Sequence, residues 1–253
     1  MTGALDGCRV LVTRERPGDL GAILARRGAT VVHVPLIEVI EPSDGGSALR
    51  EALSSLEQYD WLIVTSPAGA ERVGAAVRSA SRVRLAAVGT ATARVLALES
   101  GRAVDLVPSE QRADALAEQF VAESVVSQRV LIAQADIAAP ALADAIRMAG
   151  HRVTTVTAYQ TVPKQPIGTA APHADAVLFA SGSSVESWCR AFGPTGPALM
   201  VAIGPSTAAV AERLGLKLSA VAADHSLEGL VTELERLRGD TTAAGADGSR
   251  CPN

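Results

Sequence analysis

The sequence predicts an α/β protein built on two five-stranded parallel sheets, and three observations lead there. Short apolar runs alternate with helix-period segments along all 253 residues, and such alternation makes parallel sheets covered by helices. Residues 61–119 overlay 176–234 without a gap at a constant offset of 115: WLIVTSPAGAE falls on AVLFASGSSVE, and AAVGTATARV on VAIGPSTAAV. A weaker overlay at an offset of 120 sets VLVTRER from Val10 on VLIAQAD from Val130, and continues through a helix into GATVVHV and GHRVTTV. The chain therefore reads as two copies of one five-strand unit. Ten strands suit two such sheets better than one eight-stranded barrel, which stays open on pattern alone.

Taken in order, the apolar and β-branched runs Arg9–Thr13 and Thr30–Val34 read as strands, separated by a helix at Leu20–Arg27. Trp61–Thr65, Leu85–Val88 and Val104–Val107 read as the next three strands, with a helix at Ala70–Val77. A helix at Ala113–Glu123 precedes strand Arg129–Ala133, and one at Ala141–Ala149 precedes Arg152–Thr157. Ala176–Ala180, Leu199–Ile203 and Lys217–Val221 complete the strands, and Leu227–Leu237 is the last helix. The stretch 239–253, rich in Gly, Ala, Thr and Asp and without periodicity, is expected to be a disordered tail. Two wirings fit the repeat: tandem domains split near Ser124, or a crossover in which the chain leaves one domain, completes the other and returns. VPLIEVIEP (34–42) and TVTAYQTVP (155–163) each follow the second strand of their copy and end in proline. They are extended and β-branched enough to serve as paired crossover strands, which tips the balance slightly to the second wiring.

Composition removes several function classes. Hydrophobic residues at 48% and charged residues at 20% are ordinary for a globular chain. Aromatic residues at 3% offer few platforms for stacking bases, and a net charge of −4 opposes a phosphate-backbone partner, so nucleic acid is not expected. Any anionic ligand must be held by local features. Cys8, Cys189 and Cys251 are odd in number and widely spaced, giving neither a disulfide framework nor a metal-ligand pattern; a reducing compartment is the simplest setting. Cys8 opens an apolar strand and reads as core. No run of about 18 apolar residues and no secretory signal is present, so a cytoplasmic protein without membrane contact is expected.

The repeat places hydroxyl-rich turns just after strands and just before helices. They are Thr65-Ser66-Pro67, Gly89-Thr90-Ala91-Thr92, Ser181-Gly182-Ser183-Ser184 and Gly204-Pro205-Ser206-Thr207. Such turns supply N-caps, and structural capping alone accounts for any one of them. As a set they lie at the carboxyl ends of parallel strands, where open sheets bind ligands and helix N-termini offer N–H groups to anions. Arg14, in a turn after the first strand, could clamp a carboxylate or simply be solvated. His33, His151, His173 and His225 have no zinc-like spacing and read as surface or loop positions. Asp60, Asp136, Asp175 and Asp224 sit at strand edges or turns and read as caps. Neither a Ser-His-Asp nor a nucleotide-binding signature can be assembled. A binding-and-orienting enzyme fits this inventory; an anion-binding protein without chemistry competes with it, and a sugar-phosphate or nucleotide enzyme is weakened by the missing motifs.

Together, VLVTR-x-R-P, VPLIEV, YDWLIVTSPAG, VGTATA, TAYQT and AIGPSTA resemble the uroporphyrinogen-III synthase family, in register from about Gly7 to Leu237. The resemblance implies two flavodoxin-like domains, one of 1–36 plus 165–238 and one of 41–156, joined by a two-stranded linker of 34–42 and 155–163. It implies a cytoplasmic, monomeric hydro-lyase that uses neither metal nor organic cofactor. The substrate would be hydroxymethylbilane, a linear tetrapyrrole with eight carboxylate arms, closed with inversion of its last ring. A transient contact with hydroxymethylbilane synthase would supply it. By the same resemblance Tyr159 is the catalytic partner of the departing hydroxyl. Thr65, Ser66, Thr92, Ser181, Ser206 and Thr207 match the family's hydroxyl positions and would bind substrate, and Arg14, Gly89, Ser183 and Gly204, read from the same strand-end turns, complete the expected binding set. Ala68 and Gln134 depart from the family pattern, where Asn or Arg and an Arg are frequent, so those two contacts are not carried over.

Overall fold

The structure, a computed structural model, describes residues 3–124, 126–166, 168 and 170–246. The chain opens with β1 (Arg9–Val12), α1 (Gly18–Arg26), β2 (Thr30–His33) and β3 (Ile37–Ile40). It continues through α2 (Ser47–Ser54), β4 (Trp61–Val64), α3 (Pro67–Ser79), β5 (Arg84–Ala87), α4 (Thr90–Ser100) and α5 (Ala113–Glu123). Then come β6 (Arg129–Ala135), α6 (Ala141–Met148), β7 (Arg152–Pro163), β8 (Ala176–Phe179) and α7 (Gly182–Phe192). β9 (Leu199–Ala202), α8 (Pro205–Arg213), β10 (Ala220–Val221) and α9 (Leu227–Ala246) finish it.

Two five-stranded sheets result, ordered β10-β9-β8-β1-β2 and β3-β7-β6-β4-β5. The pairings β1–β2, β1–β8, β8–β9 and β9–β10 in the first, and β4–β5, β4–β6 and β6–β7 in the second, are all parallel. The chain divides into two compact units, Met1–Glu38 with Pro163–Asn253, and Val39–Val162. The first unit is thus assembled from both ends of the chain. The repeat explains the wiring: β8 and β9 match β4 and β5, while β1 and β2 match β6 and β7, and each sheet sets its matching strands in the same spatial order.

Parallel sheets are covered on both faces, so their central strands must be apolar throughout. All four residues of β4 and of β8 are buried. In the second unit one face packs Leu62, Val64, Val73, Val77 and Leu85, and the other Trp61, Ile63, Phe120, Ile132 and Ile146. In the first unit the corresponding faces hold Val10, Leu24, Leu178 and Leu230, and Leu11, Val177, Phe179 and Trp188. Aromatic edges lock both: Trp61 meets Phe120 at 5.3 Å, and Phe179 meets Trp188 at 6.0 Å between centroids.

Four expectations need correction. Val104–Val107 is not a strand; only Leu106 bridges to Ala86, and Pro108, which has no N–H, closes off further pairing. The fifth strand of that sheet is instead β3, inside the crossover segment 34–42. The repeat counterpart β10 is likewise reduced to two residues. The segment from Gly239 to Ala246 is not disordered but continues α9, as its alanines allow, while 247–253 lie outside the described residues. His151 is buried rather than a surface residue: its Nδ1 accepts the Gln128 N–H at 3.1 Å, and its ring lies 5.2 Å from Phe120.

Candidate active site

Because β4 and β5 pair in parallel, as do β1 with β8 and β8 with β9, the segments following β4 and β5 emerge at one edge, and those following β1, β8 and β9 at one edge of the other sheet. Every sequence-predicted binding residue lies on these edges. Thr65, Ser66, Gly89 and Thr92 belong to the second unit; Arg14, Ser181, Ser183, Gly204, Ser206 and Thr207 belong to the first.

Two of the four helices are capped by serine, as their turns suggest. Ser66 is the N-cap of α3: its Oγ accepts the Gly69 N–H at 3.1 Å, and Pro67 fills the first helical position, where a missing N–H costs nothing. Ser181 caps α7 through a reciprocal box with Ser184, whose hydroxyl accepts the Ser181 N–H at 3.3 Å and donates to the Ser181 carbonyl at 2.5 Å. The Ser181 and Ser183 hydroxyls lie 2.9 Å apart.

The other two helices begin on glycine without a side-chain cap. At α4 the gap is filled from 21 residues away: Gln111 Oε1 accepts from the Thr90 N–H at 2.9 Å and from its hydroxyl at 3.0 Å. A Cβ on Gly89 would stand 2.7 Å from that same oxygen, so any larger residue there would have to turn the Gln111 side chain aside. At α8, Gly204 packs under the His225 ring, and Ser206 is exposed. Thr92 and Thr207 are buried in the first turns of their helices.

Tyr159, on β7, is 8% exposed, and its hydroxyl donates to Ser66 Oγ at 2.8 Å. The register between β6 and β7 shifts at Gln134/Ala135, bringing Tyr159 opposite Ala135 at the carboxyl end of β6. The Arg72 guanidinium carbon, one helical turn into α3, lies 5.6 Å from the Tyr159 ring centroid. The structure therefore joins Tyr159 directly to Ser66 and sets Ser181 beside Ser183. Arg14 stands after β1, its carbonyl oxygen 2.9 Å from His33 Nε2. Near it, the Thr13 hydroxyl is buried with no hydrogen-bond partner among the described residues.

Sequence reasoning missed Gln111, Ser184 as a box partner, and Arg72. The Ser181-x-x-Ser184 spacing is a readable capping signal; nothing local marks Gln111 or Arg72. Three of the aspartates act across strands: Asp60 accepts the Arg129 N–H at 2.7 Å, Asp175 the Arg9 N–H at 2.8 Å and Asp136 the Thr161 N–H at 3.1 Å. Asp224 accepts the hydroxyl of Ser226, at the head of α9, at 2.7 Å. Among the described residues no three His, Cys, Asp or Glu side chains gather as a metal-ligand set, and no helix is long and apolar enough to cross a membrane. Burial pushes the thiols of Cys8 and Cys189 up, away from thiolate chemistry.

Known proteins share this plan and sequence. A uroporphyrinogen-III synthase of Synechococcus elongatus is 29% identical over 94% of this chain and 98% of its own length. A chloroplastic uroporphyrinogen-III synthase of rice is 28% identical over 90% and 80%. In fold, a crystal structure of uroporphyrinogen-III synthetase from Helicobacter pylori superposes with a TM-score of 0.59 at 14% identity, covering 90% of this chain and 98% of that one. A mutant uroporphyrinogen III synthase from Thermus thermophilus gives 0.56 at 18% identity, covering 91% and 98%. The family described as uroporphyrinogen-III synthase HemD matches residues 18–232, and the chain belongs to that family.

Proposed function

We propose that this chain dehydrates and cyclises hydroxymethylbilane to uroporphyrinogen III, inverting the last pyrrole ring, as a hydro-lyase of tetrapyrrole and heme biosynthesis. Within a chain whose family match runs from 18 to 232, one observation carries the chemistry: the Tyr159–Ser66 hydroxyl pair at the head of α3. The reaction begins when the terminal hydroxymethyl oxygen departs as water and leaves a cation that the electron-rich pyrrole stabilises. Uncatalysed closure gives the uninverted ring. The protein must therefore assist the leaving oxygen and fold the substrate so that the substituted carbon of the last ring attacks.

For the first task, the Tyr159 O–H and the Ser66 hydroxyl form a donor pair that can assist the leaving oxygen. For the second, eight carboxylates need many donors, and the heads of α3, α4, α7 and α8 offer hydroxyls and N–H groups on both sheet edges. Arg14 adds a charge-assisted contact to that set. We also infer flavodoxin-like domains of 1–36 with 165–238 and of 41–156, linked by 34–42 and 155–163. The order β2-β1-β8-β9-β10 and the placing of β3 beside β7 support that reading. A monomer acting in the cytoplasm, supplied by transient contact with hydroxymethylbilane synthase, completes the proposal.

Tyr159→Phe keeps the ring and removes the hydroxyl. Turnover is expected to fall at least about tenfold with little change in melting temperature. Unaltered turnover would remove Tyr159 from the mechanism and leave orientation as the main catalytic device. The activity itself is read from the ring isomer formed from fresh hydroxymethylbilane.

A further inference from the structure

The bonding at Ser66 fixes which proton of the pair is available. A serine hydroxyl has one proton and two lone pairs. The Ser66 oxygen accepts the Gly69 N–H at 3.1 Å and the Tyr159 O–H at 2.8 Å, with tyrosine as the donor. Both lone pairs are thereby engaged, and the serine proton is left to point along the remaining direction. Ser66 is half-buried, and among the described residues no acceptor takes that proton. Tyr159, in contrast, is buried with its own proton committed to Ser66. The arrangement is held firmly: the Tyr159 ring packs in the core with Val64 and Ala158, and the Tyr159 carbonyl accepts the Asp136 N–H at 3.0 Å.

We propose that Ser66 delivers the proton to the leaving hydroxyl and that Tyr159 is a positioning residue that acts through it, an inference that rests on the synthase reading above. As the C–O bond of the hydroxymethyl group breaks, its oxygen takes the Ser66 proton and leaves as water. In the same movement the Ser66 oxygen takes the Tyr159 proton, and the charge lost by the departing group comes to rest as tyrosinate. The substituted pyrrole carbon then bonds to the cationic methylene, and its older bond to the bridging methylene breaks. That methylene rebonds to the free α carbon of the same ring, and the proton this carbon sheds returns to Tyr159. Atoms balance as substrate to product plus water, with both hydroxyls restored. An aliphatic hydroxyl is too weak an acid to act alone, so the phenol behind it supplies the driving force, while serine, with its small side chain at the helix head, supplies the reach. The tie to the Gly69 N–H serves twice, since it caps α3 and keeps the serine proton turned outward.

The competing role is structural, with the tyrosine merely bracing the cap. A double-mutant cycle separates the two, read as the rate of type III ring formation from fresh hydroxymethylbilane. Two groups in series fail together. Ser66→Ala and Tyr159→Phe are each expected to slow turnover at least about tenfold and by similar factors, and the double variant to be within about threefold of the slower single one. Ser66→Thr keeps a hydroxyl and a cap, and is expected to restore most of the rate. Where Ser66→Ala is poorly folded, Ser66→Gly replaces it, because glycine is tolerated at an N-cap. The multiple proton transfer adds a solvent deuterium effect on single-turnover rate that shrinks in Tyr159→Phe; a structural brace would leave it unchanged. Losses that multiply in the double variant, or a Ser66→Gly protein that retains wild-type rate, would overturn the relay. A wild-type protein that forms no type III ring would instead overturn the synthase reading itself.

Discussion

Hydroxyl groups at the heads of these helices are not interchangeable, because each is bonded differently. Ser66 and Ser181 each accept a helix N–H as caps, and Ser66 also accepts the Tyr159 hydroxyl, whereas Ser206 is exposed at the start of α8. Ser206→Ala is therefore expected to weaken substrate binding by no more than about 1–2 kcal/mol, measured as the change in KM or in inhibitor affinity. A loss beyond about a thousandfold with the fold intact would contradict a distributed set of donors. Arg14→Ala is expected to cost more if its carboxylate pair is formed out of water. The caps at Ser66 and Ser181 were legible in the sequence because capping is a local matter of residues three apart. Gln111 was not, since it closes α4 from 21 residues away and only the folded chain brings it there. Nor was the direction of the Tyr159–Ser66 bond, which joins residues 93 apart.

Packing between neighbouring elements is tightest where α3 meets α4. A Cβ on Gly74 would stand 2.3 Å from Glu99 Cβ and 3.3 Å from the Glu99 backbone. Alanine gains up to about 1 kcal/mol in helix propensity over glycine, but forcing the two helices apart costs about 1–3 kcal/mol. Gly74→Ala is thus expected to lower the melting temperature by several degrees, read by calorimetry or circular dichroism. A variant as stable as the parent would show that the two helices separate without cost. Central strands such as β4 and β8 were legible from their unbroken apolar runs, which only a sheet covered on both faces needs. The edges were not. Val104–Val107 carries the composition of a strand, yet its apolar residues beside Pro108 earn a single bridge, and the edge position of the other sheet margin goes to Ile37–Ile40. Edge strands pair on one side only, so composition constrains them weakly.

At the scale of the whole molecule, the wiring sets which pieces can fold. The unit Val39–Val162 contains β4, β5, β6 and nearly all of β7, with both covering faces of its core. Expressed alone it is expected to unfold cooperatively in urea, while a 1–124 piece, lacking β6 to β10, is not. A folded 1–124 piece would contradict this division of the chain. The central claim is catalysis of ring closure with inversion, and one measurement reaches it directly. Freshly made hydroxymethylbilane is given to the purified protein, and the type I and type III rings are resolved after oxidation to porphyrins. Predominant type III product, forming faster as protein is added, is the expected result. Type I alone, at the rate seen without protein, would contradict the claim and leave this chain a binder of anions rather than a synthase.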